Sequence, residues 1–288
     1  MKSMTAQARA DMLLREPVSR VIPRMAIPTI ISMLVTNIYN MADTFFVSQI
    51  GTSASGAVGV IFSAMGIIQA VAFTIGMGSG TNVSQALGAG DEERARRFVS
   101  VAFFTAFAVG VVLAALGIAN LDALVRFLGA TETIAPYARD YATYILYAAP
   151  FMMCSFVMNN HLRFEGLAAY AMVGITTGSL LNILLDPLLI FGLGLGTAGA
   201  AIATAISQLV SFVILLLMTN LRADAISISL RRFTPSLRLY GRILYNGVPS
   251  LGRQGIASIS TILLNTTAGA YGDAAIAAMS IVSRFVLF

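Results

Sequence analysis

Apolar runs of about 20 residues recur along the chain, each long enough to cross a hydrocarbon core about 30 Å thick. Inside lipid every backbone N–H and C=O needs a partner within the protein, which leaves helices or a closed barrel. The runs lack the alternation of a barrel strand, so they predict helices. Spans are expected at 25–50, 57–84, 98–119, 135–160, 168–192, 198–220 and 243–270. An eighth begins near Ala274 and is still apolar at Val286-Leu287-Phe288, which predicts a longer natural protein. Hydrophobic residues make up 57% of the chain and charged residues 11%, against about 25% charge in a soluble domain. Mean hydropathy is +0.83. The predicted fold class is an all-α polytopic membrane protein. The first run is too long for a secretory signal and lacks a small-residue cleavage site. A single cysteine, Cys154, excludes an intrachain disulfide.

Net charge is +5, but the basic residues sit in particular loops rather than in one patch, so topology explains them better than nucleic acid does. Fourteen of the 18 fall on one side, in the tail (Lys2 to Arg24), at Arg94, Arg96 and Arg97, at Arg163, and from Arg222 to Arg242. The other side carries Arg126 and Arg139. By the positive-inside rule the amino terminus is cytoplasmic, in a cell (inner or plasma) membrane. The charge run Asp91-Glu92-Glu93-Arg94-Ala95-Arg96-Arg97 reads as a solvated connector.

A weak internal repeat organises the chain. Ala26-Ile27-Pro28 opens the first span and Gly51 closes it; Gly247-Val248-Pro249 opens the seventh and Gly272 closes it. Both Pro-to-Gly spacings are 23 residues, and one offset of 221 aligns them without a gap. Six intervening spans make the copies parallel, the arrangement of transporters in which two bundles rock about a midplane site. Residues 1–220 then form a cytoplasmic tail and six-helix N-lobe, 221–242 an inter-lobe linker, and 243–288 the start of a C-lobe.

Of 13 acidic residues, only Asp43 and Asp186 fall well inside spans, Asp140 lying at the end of the span at 135–160. Intramembrane carboxylates are costly and usually face a bundle interior or a wet cavity. Both are predicted late in outward-running helices, hence at similar depth. Asn182 lies one turn before Asp186 on the same face, and Pro187 frees a backbone carbonyl. Thr204 enters at about the same level on the sixth span, and Tyr39 and Asn40 share the face of Asp43. These oxygens could hold Na⁺ or share a proton; the alternative is a pair of hydrogen-bonded helix locks. His161 is predicted as a solvated or capping residue at a cytoplasmic helix end. Gly194-x-Gly196-x-x-Gly199 matches a dinucleotide fingerprint but follows a span rather than a strand, so it reads as a tight outer loop. The 14 methionines read as gap fillers that would also suit varied hydrophobic substrates.

The segment from Asn182 to Gly192, with Gly194-Leu195-Gly196-Thr197-Ala198-Gly199 and the run to Thr204, resembles the fifth and sixth helices of the multidrug and toxic compound extrusion (MATE) family. Asp43-Thr44, Ala86-Leu87-Gly88-Ala89-Gly90-Asp91 and Asn159-Asn160-His161-Leu162-Arg163-Phe164-Glu165-Gly166 match the same family. The resemblance implies a twelve-helix, two-lobed secondary exporter of organic, often cationic, compounds, driven by H⁺ or Na⁺ antiport. It implies a coupling site at Asp43, Asn182, Asp186 and Thr204 and drug-facing positions at Tyr39, Asn40, Tyr141 and Asn159. No cofactor, no catalytic residue and no nucleic-acid partner is expected; small drug-like molecules and membrane lipid are, with a monomeric full-length protein. The alternatives are a lipid-linked oligosaccharide flippase, which would want a cationic cavity beyond Arg253 and Arg284, and an intramembrane aspartyl protease. The protease would need a Gly-x-Gly-Asp sequence that neither aspartate has.

Overall fold

The computed structural model describes residues 15–221 and 226–287. The tail residues Lys2, Arg9 and Asp11, and Arg222 and Asp224 of the linker, lie outside them. Among the described residues the secondary structure is helical throughout. The elements are α1 (Val18–Ser48), α2 (Thr52–Gly88), α3 (Glu92–Ala119), α4 (Leu121–Phe127), α5 (Ala135–Phe164), α6 (Ala168–Pro187), α7 (Gly196–Leu221), α8 (Leu237–Gly269) and α9 (Asp273–Leu287). A π turn, Leu188–Gly192, continues α6, and a 3₁₀ turn, Leu230–Arg232, lies in the linker.

Six of these helices (α1, α2, α3, α5, α6 with its π turn, and α7) are long and apolar enough to cross a membrane. The expected seventh span is the 33-residue α8. It has the length, but Asn246, Arg253, Gln254 and Asn265 make it more polar than the other six. Two boundaries differ from expectation. Pro28 and Pro249 do not open their helices but lie inside α1 and α8, about ten residues from each start. The short α4 falls in what the sequence presents as an outer loop. Beside Pro28, two hydroxyls bond back to their own helix one turn earlier: Thr29 donates to Met25 O (3.0 Å) and Ser32 to Pro28 O (2.8 Å).

Helix α2 is the axis of the bundle and packs on α3, α5, α8 and α9. At the arginine-rich end, called here the basic end, a core cluster joins Ala95, Phe98, Met158 and Leu162 to Leu239 and Ile243 of α8. At the opposite end Val47, Ile61, Leu128, Ile134 and Tyr141 pack with Ile276 of α9. Gly78 and Gly247 explain how closely α2 and α8 approach at the basic end. A Cβ on either would collide with a backbone carbonyl of the other helix, that of Ile243 or of Thr74. At the two joints Gly51 (φ 154°) and Gly272 (φ 95°) both have positive φ, and Thr52 and Asp273, 221 residues apart, begin α2 and α9.

The linker is fastened to the start of α3. Ser229 N donates to Ser100 Oγ (3.1 Å), Arg97 Nη2 to Thr234 O (3.3 Å), and Arg232 pairs with Glu93 (3.1 Å). Ser236 then caps α8 by accepting from Leu239 N (3.3 Å).

Candidate functional site

Asp186 occupies the last turn of α6, just before Pro187 and the π turn. Such turns open the regular ladder and occur often at functional sites. α7 is pressed onto this turn at Gly199, where a Cβ would lie 2.7 Å from Leu189 O. The approach sets Thr204 opposite Asn182. With its nitrogen toward Asp186 and its oxygen toward Thr204, the Asn182 amide satisfies both neighbours. It donates to Asp186 Oδ2 (3.3 Å) and accepts from Thr204 N and Oγ1 (3.2 Å each). Further along the same pair, Ser211 donates to Gly174 O (3.0 Å).

The third wall is α1, which packs along α6. Phe46 meets Phe191 of the π turn edge to face at 6.4 Å, which fixes the end of α1 that carries Asp43. Asp43 lies within electrostatic reach of Asp186. Asp43, Asn182, Asp186 and Thr204 are all buried, with exposures of 3%, 1%, 0% and 3%. The donors are carboxylate, amide and hydroxyl oxygens. Among the described residues no group of three or more His, Cys, Asp or Glu side chains could hold a metal ion. An oxygen-only set suits a hard cation or a proton rather than a transition metal. Ser207, one turn beyond Thr204, is also buried, and its Oγ makes no hydrogen bond; helical spacing on α7 could have flagged it.

The other residues singled out in the sequence are scattered. Tyr39 and Asn40 are half-buried one turn before Asp43, and Asn40 O accepts from Thr44 (2.9 Å). Tyr141 is buried in the core at the same end of the bundle. Asn159 is not near it: 18 residues along α5 separate them, about 27 Å, and Asn159 donates to Ala171 O on the first turn of α6 (3.1 Å). His161 departs from expectation. It is neither solvated nor a cap but wholly buried, with Nε2 2.7 Å from Ser79 Oγ, because α2 and α5 close over it.

A second polar cluster gave no sequence signal. Asp273, at the start of α9, accepts from Thr131 (2.6 Å), Thr133 (2.6 Å) and Ser53 (2.7 Å). Partial burial pushes its carboxyl up, but the three hydroxyl bonds outweigh that and hold it below the ordinary carboxylate range. It ties α9 to the start of α2 and to the loop before α5.

Comparison with known proteins shows the family. Residues 28–188 match the MatE family. The chain is 37% identical over 203 residues to a FAD transporter of Shewanella oneidensis, covering 69% of the chain and 45% of that protein. It is 26% identical over 275 residues to the multidrug export protein MepA of Staphylococcus aureus, covering 95% of the chain and 61% of that protein. Among solved structures, an inward-facing multidrug resistance MATE family transporter of the MOP superfamily superposes with a TM-score of 0.83 at 33% identity, over 92% of the chain and 60% of its own. A MOP superfamily transporter from Pyrococcus furiosus, described as having a binding pocket of reverse polarity, gives 0.83 at 30% identity, over 100% and 66%. The chain thus spans less than two thirds of the curated relatives it matches. A helical, multi-pass chain that matches the family over more than half its length, and its solved members over nearly all of it, belongs to the MatE family of transporters.

Proposed function

We propose that the protein exports small organic compounds by antiport with H⁺ or Na⁺ and that Asp43, Asn182, Asp186 and Thr204 form the coupling site. The observation that carries this is the buried cluster itself: two carboxylates within electrostatic reach on α1 and α6, bridged by Asn182 to α7. Such a set is a poor source of stability, because buried charges lose more hydration than their mutual contacts return. A proton arriving at Asp43 or Asp186 relieves the repulsion between them and lets α1 settle closer to α6. A Na⁺ does the same by charge, and its arrival would require the Asn182 amide to turn its oxygen toward Asp186. Either event changes the wall that α1 presents to the substrate cavity. In this reading the basic end is cytoplasmic, the membrane is the cell membrane, and residues 1–220 act as one lobe hinged to the remainder through 221–242.

Drug-like organic compounds are the first substrate class, from the similarity to multidrug exporters, and the family resemblance adds that they are often cationic. A second reading, a phosphate-bearing flavin dinucleotide, is favoured by the 37% identity to a FAD transporter. Vesicles carrying the protein decide between them by efflux of a fluorescent cation or of FAD under an imposed pH or Na⁺ gradient. Asp43→Asn and Asp186→Asn should each abolish gradient-driven efflux of the true substrate. Undiminished efflux in both variants overturns the coupling role.

A further inference from the structure

We propose that the basic end of the molecule carries a binding site for a phosphate-bearing anion, at the level of lipid headgroups, in the cleft where the first turns of α3 and α8 meet. The cleft has a volume of about 280 Å³ and is lined by Arg94, Arg97, Arg238, Arg242 and Ser236 over buried Phe98 and Leu239. Arg94 and Arg97 come from one helix and Arg238 and Arg242 from another, more than 130 residues away in sequence.

Neighbouring acids do not neutralise this charge, because each is engaged elsewhere. Glu92 pairs with Arg96 (3.1 Å), Glu93 with Arg232 (3.1 Å), and Asp91 caps α3 by accepting from Arg94 N (3.0 Å). Among the described residues none of the four lining guanidiniums is ion-paired. Arg97 donates to Thr234 O, which holds the linker against α3 and so brings the two helix starts together. Arg238 and Arg242, four residues apart, project from one face of α8, whose N-terminal end adds a partial positive charge.

A loop asymmetry for membrane topology needs basic residues anywhere near the span ends. It does not need four of them to converge on one cleft from two helices. Guanidinium forks match phosphate oxygens in pairs. A volume of about 280 Å³ falls just under the range of about 300–1,000 Å³ for drug-sized ligands, so the cleft takes a headgroup rather than a whole dinucleotide. Since α3 is one of the apolar helices long enough to span, its first turns lie where a membrane's phosphates lie.

The chain, purified in zwitterionic detergent, can be titrated with phosphatidylglycerol, phosphatidylcholine or inorganic phosphate and read by native mass spectrometry. Each arginine near anionic lipid contributes about fivefold in affinity. Arg238→Gln with Arg242→Gln should therefore weaken phosphatidylglycerol retention about 25-fold. Arg231→Gln, an exposed linker arginine outside the cleft, should leave it unchanged, and Arg238→Lys with Arg242→Lys, which keeps the charge but loses the forks, should fall between the two. Reactivity of the buried Cys154 thiol checks that each variant is folded. Equal retention of the two lipids, or phosphatidylglycerol binding indifferent to the double Gln variant, overturns the site. Arginine-dependent binding of inorganic phosphate that phosphatidylglycerol does not displace supports the site and assigns it to a soluble phosphate.

Discussion

Replacing Asn182 with leucine keeps the branched shape and heavy-atom count of the side chain and removes the bridge between Asp186 and Thr204. The amide's hydrogen bonds are 3.2–3.3 Å long, at the far edge of the usual range, so each contributes about 0.5–1 kcal/mol net. The larger loss is at Asp186, which is 0% exposed; a buried carboxylate deprived of a donor costs about 1–3 kcal/mol. Thr204 suffers less, because its hydroxyl can turn to a carbonyl of its own helix one turn back. Together Asn182→Leu should destabilise the chain by about 2–4 kcal/mol. In an Asp186→Leu background the same change should cost less than about 1 kcal/mol, a coupling of about 2 kcal/mol in a double-mutant cycle. The only cysteine, Cys154, is wholly buried, so a thiol-reactive dye reports equilibrium unfolding in micelles without engineering. Effects that add to within about 0.5 kcal/mol would show that Asn182 and Asp186 do not act as a unit, and the site as drawn would be refuted.

Gly247→Val should cost about 1–3 kcal/mol through overpacking, since its Cβ meets the Thr74 carbonyl; Gly241→Val, in open space on the same helix, should cost about 1 kcal/mol or less, and the dye assay compares them. His161, the only histidine, is fully buried, so diethyl pyrocarbonate should leave it unmodified in the folded chain and label it on unfolding, as read by mass spectrometry. The folded Asp273 carboxyl titrates below the ordinary value of about 3.9. The stability it contributes is therefore fully present above that value and is lost as pH falls through the lower folded one. Asp273→Asn should flatten this acid limb of an unfolding titration.

The spans and the paired carboxylates were legible because their signals are local. Membrane cost singles out Asp43 and Asp186 without any structure, and helical spacing adds Asn182. Helix starts were less legible: a proline reads as a boundary, yet Pro28 and Pro249 lie inside α1 and α8. Seven residues of α4 are too few to show a period. What was not legible is tertiary. His161 reads as terminal from its position along α5, and only the packing of α2 buries it. Thr131, Thr133, Ser53 and Asp273 are unremarkable apart and meet only through the fold. The arginines of the cleft were visible as charges, but their convergence was not.

The way α1 is held has a mechanical consequence. Of its 31 residues only Ser32, Asp43, Thr44 and Val47 are buried, three of them in its last six residues, while the rest lies half-buried or exposed along α6. It is a lever whose most deeply held end contains a carboxylate. From Asp43 back to Val18 is 25 residues, about 37 Å of helix that carries Pro23 and Pro28. A tilt of about 10° at the grip therefore sweeps the free tip through about 6 Å, more than one helical turn. A small rotation where two carboxylates meet becomes, at the far end of the lever, a displacement the size of a small molecule.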